Sequence, residues 1–156
     1  MESNEVYVAA RGERIDLDGS WKFVTDPDGK LTLESLPSAE MRIINVPSCW
    51  ESQFPDLIQY DGLAWYQRSV RIPPEWAGKR ILLRFSAVDY STEVWVNAEF
   101  VGRHDGGYLP FFFEIQDLVR VGEENVITVR VNDVHDLTLV PHGKQSWYCN
   151  IGGIWQ

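Results

Sequence analysis

Residues 141–150 hold side chains that can donate hydrogen bonds beside aromatic rings. Such rings offer flat faces to the C–H surface of a sugar, while the donors suit its hydroxyl groups. The candidate binding residues in this segment are His142, Lys144, Gln145, Trp147 and Tyr148. Because binding residues lie on loops more often than in cores, sugar binding is one interpretation. A contact with a neighbouring domain is the other, since the same side chains serve both purposes.

A second candidate lies at residues 59–61, just before a strongly apolar segment. The carboxylate of Asp61 can accept hydrogen bonds from two adjacent hydroxyl groups of a ligand. Tyr60 places an aromatic ring next to it in the sequence. The alternative is that Asp61, which is followed by Gly62, only forms a turn.

The sequence shows no set of residues arranged for catalysis or metal binding. His104 has no carboxylate partner in the pattern, so it is interpreted as a structural histidine of a glycine-rich loop. Asp133, His135 and His142 lack the spacing of metal ligands. We therefore predict no catalytic residue, no metal and no cofactor in this chain.

The composition limits the class of protein. The chain has 156 residues, of which 44% are hydrophobic, enough for a single well-packed domain over residues 1–156. Its formal net charge of −9 argues against binding to nucleic acid or to an anionic membrane, which both need a basic surface. No apolar run approaches the roughly 20 residues of a transmembrane helix. Residues 1–5 do not resemble the start of a signal peptide, which predicts a cytoplasmic protein unless a leader is missing. Cys49 and Cys149 are predicted to be free thiols.

Short strands are the elements that must position these loops. Apolar and polar residues alternate in several segments, and Thr92, Val94 and Val96 are expected to face the core. Trp65 and Trp95 also fall on predicted strands and are interpreted as structural residues of the core pattern. Strands or hairpins are expected near residues 15–23, 41–46, 65–72, 79–85, 92–102, 111–115 and 125–131. Without a convincing amphipathic helix, this pattern predicts an all-β sandwich or jelly roll.

Six motifs follow one another along the chain. They are Leu17-Asp18-Gly19-Ser20-Trp21-Lys22-Phe23, Val46-Pro47-Ser48-Cys49-Trp50, Tyr60-Asp61-Gly62-Leu63-Ala64-Trp65-Tyr66-Gln67-Arg68, His104-Asp105-Gly106-Gly107-Tyr108-Leu109-Pro110-Phe111, Asn125 to Val131, and Gly153-Ile154-Trp155. Each motif alone is weak, but their order is specific. From about Leu17 to Gln156, the chain resembles the N-terminal sugar-binding domain of glycoside hydrolase family 2, the family of β-galactosidases, β-glucuronidases and β-mannosidases.

The resemblance implies a jelly-roll β-sandwich of the galactose-binding-domain-like type. It also implies a larger parent enzyme, a retaining β-glycosidase whose two catalytic glutamates lie in a C-terminal (β/α)₈ barrel and not in this chain. In the family, the loop before the Gly-Ile motif and the loop around Asp61 approach the active site. Both loops are therefore expected to meet the carbohydrate substrate together with the barrel. A homo-oligomer of the parent enzyme is a further association that the resemblance allows.

The chain departs from the family pattern at two positions. The carboxylate that often binds sugar hydroxyls would fall near Trp147, and no Asp or Glu follows Asp136. Ala98 stands where the hairpin turn usually carries glycine, which predicts either strain or a different turn type at Asn97-Ala98.

Three functions are open at this point. The chain is a non-catalytic domain of a family 2 glycosidase that contributes scaffold and substrate-binding loops, a stand-alone carbohydrate-binding module, or a purely structural scaffold between domains. Fold alone does not separate them. The end of the sequence reads as a strand that has just begun, which favours a fragment of a longer protein and hence the first or third function. The donor-rich residues 142–150 favour the first over the third.

Overall fold

The computed structural model describes residues 12–134 and 151–156, and β-strands dominate this part of the chain. The strands are β1 (Gly19–Thr25), β2 (Arg42–Val46), β3 (Leu63–Arg71), β4 (Leu82–Phe85), β5 (Val88–Asp89), β6 (Ser91–Val96), β7 (Glu99–Asp105), β8 (Phe111–Glu114), β9 (Glu124–Asn132) and β10 (Gly153–Ile154). The helices are short, namely α1 (Trp50–Gln53) and 3₁₀ helices at Leu36–Ser38, Pro55–Leu57 and Pro74–Trp76. None of the helices in the described residues has the length and apolar character needed to cross a membrane.

A six-stranded antiparallel sheet in the order β2-β1-β3-β9-β6-β7 forms one layer of the fold. Its two longest strands pair along their whole length, from Leu63 with Asn132 to Arg71 with Glu124. The short antiparallel pairs β4-β8 and β5-β10 contribute the second layer. The all-β sandwich predicted from the sequence is confirmed.

The hydrophobic core lies between these layers, and strand alternation determines which residues enter it. In β9, the core side consists of Ile127, Val129 and Val131, all nearly inaccessible to solvent, as the sequence predicted. Leu83 and Phe85 of β4 belong to the same buried cluster from the opposite layer. Thr92, Val94 and Val96 of β6 are completely buried, which confirms the predicted core face of the hairpin.

Three details of the sequence prediction need correction. The first strand begins at Gly19 and not near Ile15. The segment between residues 48 and 63, expected to be a long loop, contains α1 and a 3₁₀ helix. Trp65 is only 2% exposed, as its predicted structural role requires. Neither Trp65 nor Trp95 belongs to the core cluster, however, because both alternate along their strands with core residues and therefore face the other side of the sheet.

The turn between β6 and β7 has the backbone of a type I′ turn although Ala98 replaces glycine. The φ angles of Asn97 and Ala98 are 51° and 69°, both in the left-handed region. The Asn97 side chain fixes the turn, since its amide donates to the Leu118 carbonyl at 2.9 Å and its oxygen accepts from the Val126 N–H at 3.0 Å. Of the two predicted outcomes, the structure shows backbone strain at Ala98 and not a different turn type.

Candidate functional site

The two candidate segments border the same end of the sandwich. The N–H of Asp133, just after β9, donates to the carbonyl of Gly62 at 3.0 Å. Just before β10, the carbonyl of Gly152 accepts from the Trp50 N–H at 3.2 Å. The loop around Asp61, α1 and both flanks of residues 135–150 therefore meet at one place. The candidates His142, Lys144, Gln145, Trp147 and Tyr148 lie outside the described residues.

Tyr60 packs inward, whereas Asp61 is exposed. The Tyr60 ring meets the ring of Trp50 edge-on, with 5.8 Å between centroids, and its hydroxyl donates to the Leu63 carbonyl at 2.6 Å. Burial raises the pKa of Tyr60 to about 12, and the nearby carboxylates add to the rise. Of this predicted pair, Asp61 is therefore the exposed residue, and Tyr60 supports the loop.

Three acidic side chains that sequence reasoning did not select lie close together beneath this loop. We call Glu51 of α1, Asp89 of β5 and Asp133 the carboxyl cluster. Asp133 is only 3% exposed, and burial, reinforced by Asp89 and Glu51, raises its pKa to about 9. Burial also raises the pKa of Glu51 to about 7. Because burial above all, and then the neighbouring carboxylates, disfavour the charged form, Asp133 retains its proton at neutral pH and Glu51 retains its proton in part.

Glu51 connects the carboxyl cluster to the backbone that enters β10. Both of its carboxyl oxygens accept from the Gly152 N–H, at 3.0 and 3.1 Å. This contact lowers the pKa of Glu51 and so opposes part of the rise that burial causes. Glu51 therefore fixes the point at which the chain returns from residues 135–150.

The hydroxyl of Tyr66 points into the carboxyl cluster from β3. Tyr66 is completely buried, and its hydroxyl has no hydrogen-bond partner of good geometry among the described residues. Burial, together with Glu51 and Asp133, raises the pKa of Tyr66, while the backbone of Ile154 acts in the opposite direction. One carboxyl oxygen of Asp133 is likewise buried without a partner in the described part of the chain. Such atoms are uncommon in proteins and mark this place as more than ordinary core.

Two glycines at the start of β10, Gly152 just before the strand and Gly153 as its first residue, allow the backbone to approach these side chains closely. A Cβ atom at Gly152 would lie 2.2 Å from the Trp50 ring. A Cβ atom at Gly153 would lie 2.1 Å from the Tyr66 hydroxyl, and the φ of Gly153 is +99°. Both positions therefore exclude a side chain for steric reasons, and Gly153 excludes one for its backbone conformation too.

The glycine-rich loop after β7 approaches the cluster from the other side. A Cβ atom at Gly107 would lie 2.3 Å from a carboxyl oxygen of Asp89. The indole N–H of Trp155 donates to the Gly107 carbonyl at 2.9 Å, and its ring meets Tyr108 edge-on. Residues from four of the six sequence motifs thus pack around the carboxyl cluster.

Comparison with known proteins agrees with this arrangement. Residues 15–156 match the family described as glycosyl hydrolases family 2, sugar binding domain. The chain belongs to this family. The resemblance inferred from the six motifs is confirmed.

Relatives of this family 2 domain are much longer proteins. A β-glucuronidase from Bacteroides fragilis is 34% identical over 151 residues, which cover 94% of this chain and 20% of the relative. A β-galactosidase from Thermoanaerobacter pseudethanolicus is 30% identical over 142 residues, which cover 90% of this chain and 18% of the relative. The Ruminococcus gnavus β-glucuronidase, solved in complex with uronic isofagomine, superposes with a TM-score of 0.72 at 30% identity, over 81% of this chain and 22% of that chain. The chain spans about a fifth of the length of the curated relatives it matches.

The carboxyl cluster of the family 2 domain is suited to support and not to catalysis. Raised pKa values are common among catalytic acids, so Glu51 and Asp133 need to be considered in that role. Retaining hydrolysis requires two carboxyl groups about 5 Å apart that both reach the glycosidic bond. Glu51 is bound to the backbone through both oxygens, and Asp133 is buried beneath Gly152. The cluster therefore forms a floor beneath the loop around Asp61, next to the two ends of residues 135–150.

His104 and Asp133 lie in the described residues, whereas His135 and His142 lie outside them. His104 lies on β7 and not in a loop, and its ring stacks on Phe111 with 4.0 Å between centroids. This contact fits the predicted structural role. Within residues 12–134 and 151–156, no group of three or more His, Cys, Asp or Glu side chains is placed to hold a metal ion. Cys49 is a free thiol, as predicted.

A weak signal for the carboxyl cluster was present in the sequence. Glu51 directly follows the motif residue Trp50, and Asp133 comes directly after β9, one of the two longest strands. A charged residue immediately after such a strand often lies at the edge of the core. Asp89 offered no comparable signal, because its environment depends on the approach of Gly107.

Proposed function

We propose that this chain is a non-catalytic domain of a retaining β-glycosidase and contributes loops to its substrate site. The proposal rests on one observation. Exposed Asp61 lies close to both flanks of residues 135–150, above the buried carboxyl cluster. The catalytic pair of carboxylates would come from a (β/α)₈ barrel elsewhere in the parent protein. Because the relatives include β-glucuronidases and a β-galactosidase, β-glucuronides and β-galactosides are the first substrates to test.

In this proposal, the two loops bind the sugar by complementary chemistry. The Asp61 carboxylate accepts hydrogen bonds from sugar hydroxyls, while Lys144 and Gln145 donate them. Trp147 and Tyr148 supply ring faces, and His142 a further polar group. These contacts orient the substrate and leave bond cleavage to the barrel.

Kinetics of the full-length parent protein test the proposal. We expect Asp61→Asn and Lys144→Gln each to raise KM by about 5- to 20-fold with little change in kcat, as the loss of one charged contact predicts. Asp117→Asn is the matched control, because exposed Asp117 precedes the start of β9, at the end opposite Asp133. The nine residues of β9 separate the two ends by about 30 Å. Unchanged KM values in both loop variants would leave only a scaffold role.

Calorimetry separates the remaining alternative, a stand-alone carbohydrate-binding module. The isolated chain should bind methyl glucuronide or methyl galactoside no more tightly than millimolar, since the barrel completes the site. Micromolar binding by the isolated chain would instead support a stand-alone module. Sedimentation of the full-length protein tests the homo-oligomer, and fractionation of cells tests the cytoplasmic location, which stays a prediction.

A further inference from the structure

The outer face of the six-stranded sheet carries a row of side chains, one from each strand, that the proposed function does not use. Residues paired across antiparallel strands point to the same face, so the register identifies the row. The outer row consists of Ile43, Lys22, Gln67, Thr128, Trp95 and Phe100, in the order in which the strands lie side by side. Neighbouring strands are about 4.8 Å apart, so the row crosses about 24 Å of sheet. This length suits an extended ligand of several rings.

One end of the outer row is aromatic. Phe100 is 56% exposed, and its ring meets the half-buried Trp95 edge-on with 5.5 Å between centroids. On its other side, Trp95 stacks on the buried Trp65 at 5.4 Å. Trp95 is thus held between two rings and presents a fixed apolar surface beside the exposed Phe100. Such a surface suits the C–H face of a sugar ring.

The other end of the outer row lies in an open groove of about 530 Å³. Hydroxyl, amide and ammonium groups of Ser20, Lys22, Gln67 and Ser69 line this groove. Gln67 is oriented by a hydrogen bond that its amide donates to the Thr128 hydroxyl at 3.3 Å. Several donors and acceptors at fixed positions suit a ligand that is rich in hydroxyl groups.

The charge of the groove is opposite to that of the whole chain. Lys22 and Arg68 line the groove, and no Asp or Glu among the described residues does, whereas the chain has a formal net charge of −9. The Arg68 guanidinium donates to the carbonyls of Leu17 and Asp18 at 2.8 and 3.1 Å, so neutral partners fix it and leave its charge uncompensated. Lys22 is exposed and forms no ion pair within the described residues. The groove therefore favours an anionic ligand.

We propose that the outer row binds an acidic oligosaccharide, with a sugar ring against Phe100 and Trp95 and a uronate carboxylate beside Lys22. At the centre of the row, half-buried Gln67 presents a polar amide, while Thr128 beside it is only 3% exposed. A ligand with polar groups suits this position better than the apolar core of a protein interface does. A short ligand with few charges suits this surface better than a long polyanion such as nucleic acid, because the basic groove is local and the net charge of the chain repels an anion that extends beyond it. This surface lies on the flat of the sheet and does not include the loop around Asp61.

Titration calorimetry of the full-length protein tests this proposal. The probes are a tetrasaccharide of alternating glucuronate and N-acetylglucosamine and its carboxyl-reduced, neutral counterpart. We expect Lys22→Gln and Phe100→Ala each to weaken binding of the acidic probe by about 5- to 10-fold, the effect of one charge-assisted or aromatic contact. The neutral probe should bind more weakly and be insensitive to Lys22→Gln.

Matched variants isolate the outer row. Lys30→Gln removes an exposed lysine that pairs with Asp28, and Phe112→Ala removes a phenylalanine of similar exposure, 47%, on β8. Neither should affect binding of the acidic probe, and the losses in Lys22→Gln and Phe100→Ala should persist in an Asp61→Asn background, which distinguishes this surface from the proposed substrate loops. Absence of binding, equal binding of both probes, or equal losses in the controls overturns the proposal. The proposal would also be overturned if the original protein does not bind the glycan and the Phe100→Ala variant forms a smaller oligomer than the original protein. The outer row would then be a contact between copies of the protein. If Phe100→Ala does not fold, the exposed Lys22→Gln decides alone.

Discussion

Replacement of Asp133 by asparagine should make the protein more stable, and increasingly so as the pH rises. Asp133 is 3% exposed and has a pKa of about 9, because burial and the neighbouring carboxyl groups disfavour its charge. In the unfolded chain the same group titrates at its ordinary value of 3.8. Asparagine has nearly the same shape as the protonated acid and carries no charge at any pH.

The sign and the size of the effect follow from proton linkage. Between about pH 4 and pH 9 the folded protein retains the Asp133 proton while the unfolded chain loses it, so stability falls as the pH rises. Each pH unit in this window costs at most about 1.4 kcal/mol of unfolding free energy. From pH 5 to pH 8, the advantage of Asp133→Asn should therefore grow by up to roughly 4 kcal/mol. A total stability of about 5–15 kcal/mol makes such a change easy to measure.

Urea unfolding monitored by tryptophan fluorescence at pH 5, 6, 7 and 8 measures this difference. Asp117→Asn serves as the control, because Asp117 is exposed and lies at the other end of β9. The control should differ from the original protein by less than about 0.5 kcal/mol at every pH. A constant difference between Asp133→Asn and the original protein across this range would refute the reasoning, as would a difference that shrinks toward pH 8.

Three further substitutions test the packing. Ala98→Gly should raise stability by about 0.5–1 kcal/mol, and the melting temperature by about 1–4 °C in calorimetry, because glycine adopts the φ of 69° without strain. Asn125→Ala should lower the unfolding free energy by about 3–5 kcal/mol in urea titrations, because it removes a completely buried side chain that makes four hydrogen bonds; a loss below 1 kcal/mol would contradict this. Gly153→Ala should lower the stability more than Gly78→Ala does. The φ angle is positive at both glycines, but only a Cβ atom at Gly153 would collide with the Tyr66 hydroxyl. Tyr66→Phe should recover part of that loss, and a double-mutant cycle without coupling would rule out the steric explanation.

Features that depend on local alternation could be predicted from the sequence. The core faces of β6 and β9 follow from the spacing of Val94, Val96, Ile127 and Val129, because each strand places alternate side chains on opposite sides. The same rule places Trp95 on the outer face, because it lies between the core residues Val94 and Val96. The large aromatic ring of Trp95, taken alone, instead predicts a core residue. Here it packs against other rings on that outer face, so its size did not indicate which side of the sheet it occupies.

The carboxyl cluster could not be predicted, because its environment is created by contacts between distant segments. Glu51 and Asp89 come from α1 and β5, and Asp133 follows β9. The local sequence contains only a weak signal for Glu51 and Asp133 and none for Asp89. Only the close approach of glycine backbone buries them, and no local pattern encodes that approach.

The family motifs contain two kinds of residue, those that hold the backbone in place and those whose side chains are exposed to a ligand. Substitutions in the two groups should therefore have different effects. Trp50, Gly107 and Gly153 belong to the recognised motifs, and each fixes the path of the backbone around the carboxyl cluster. Asp61 belongs to a motif as well, but its side chain is exposed above that floor. Substitutions in the first group should change the free energy of unfolding, because they disturb buried contacts. Substitution of Asp61 should leave stability nearly unchanged and alter KM, so measuring both quantities for each variant separates structural from binding roles.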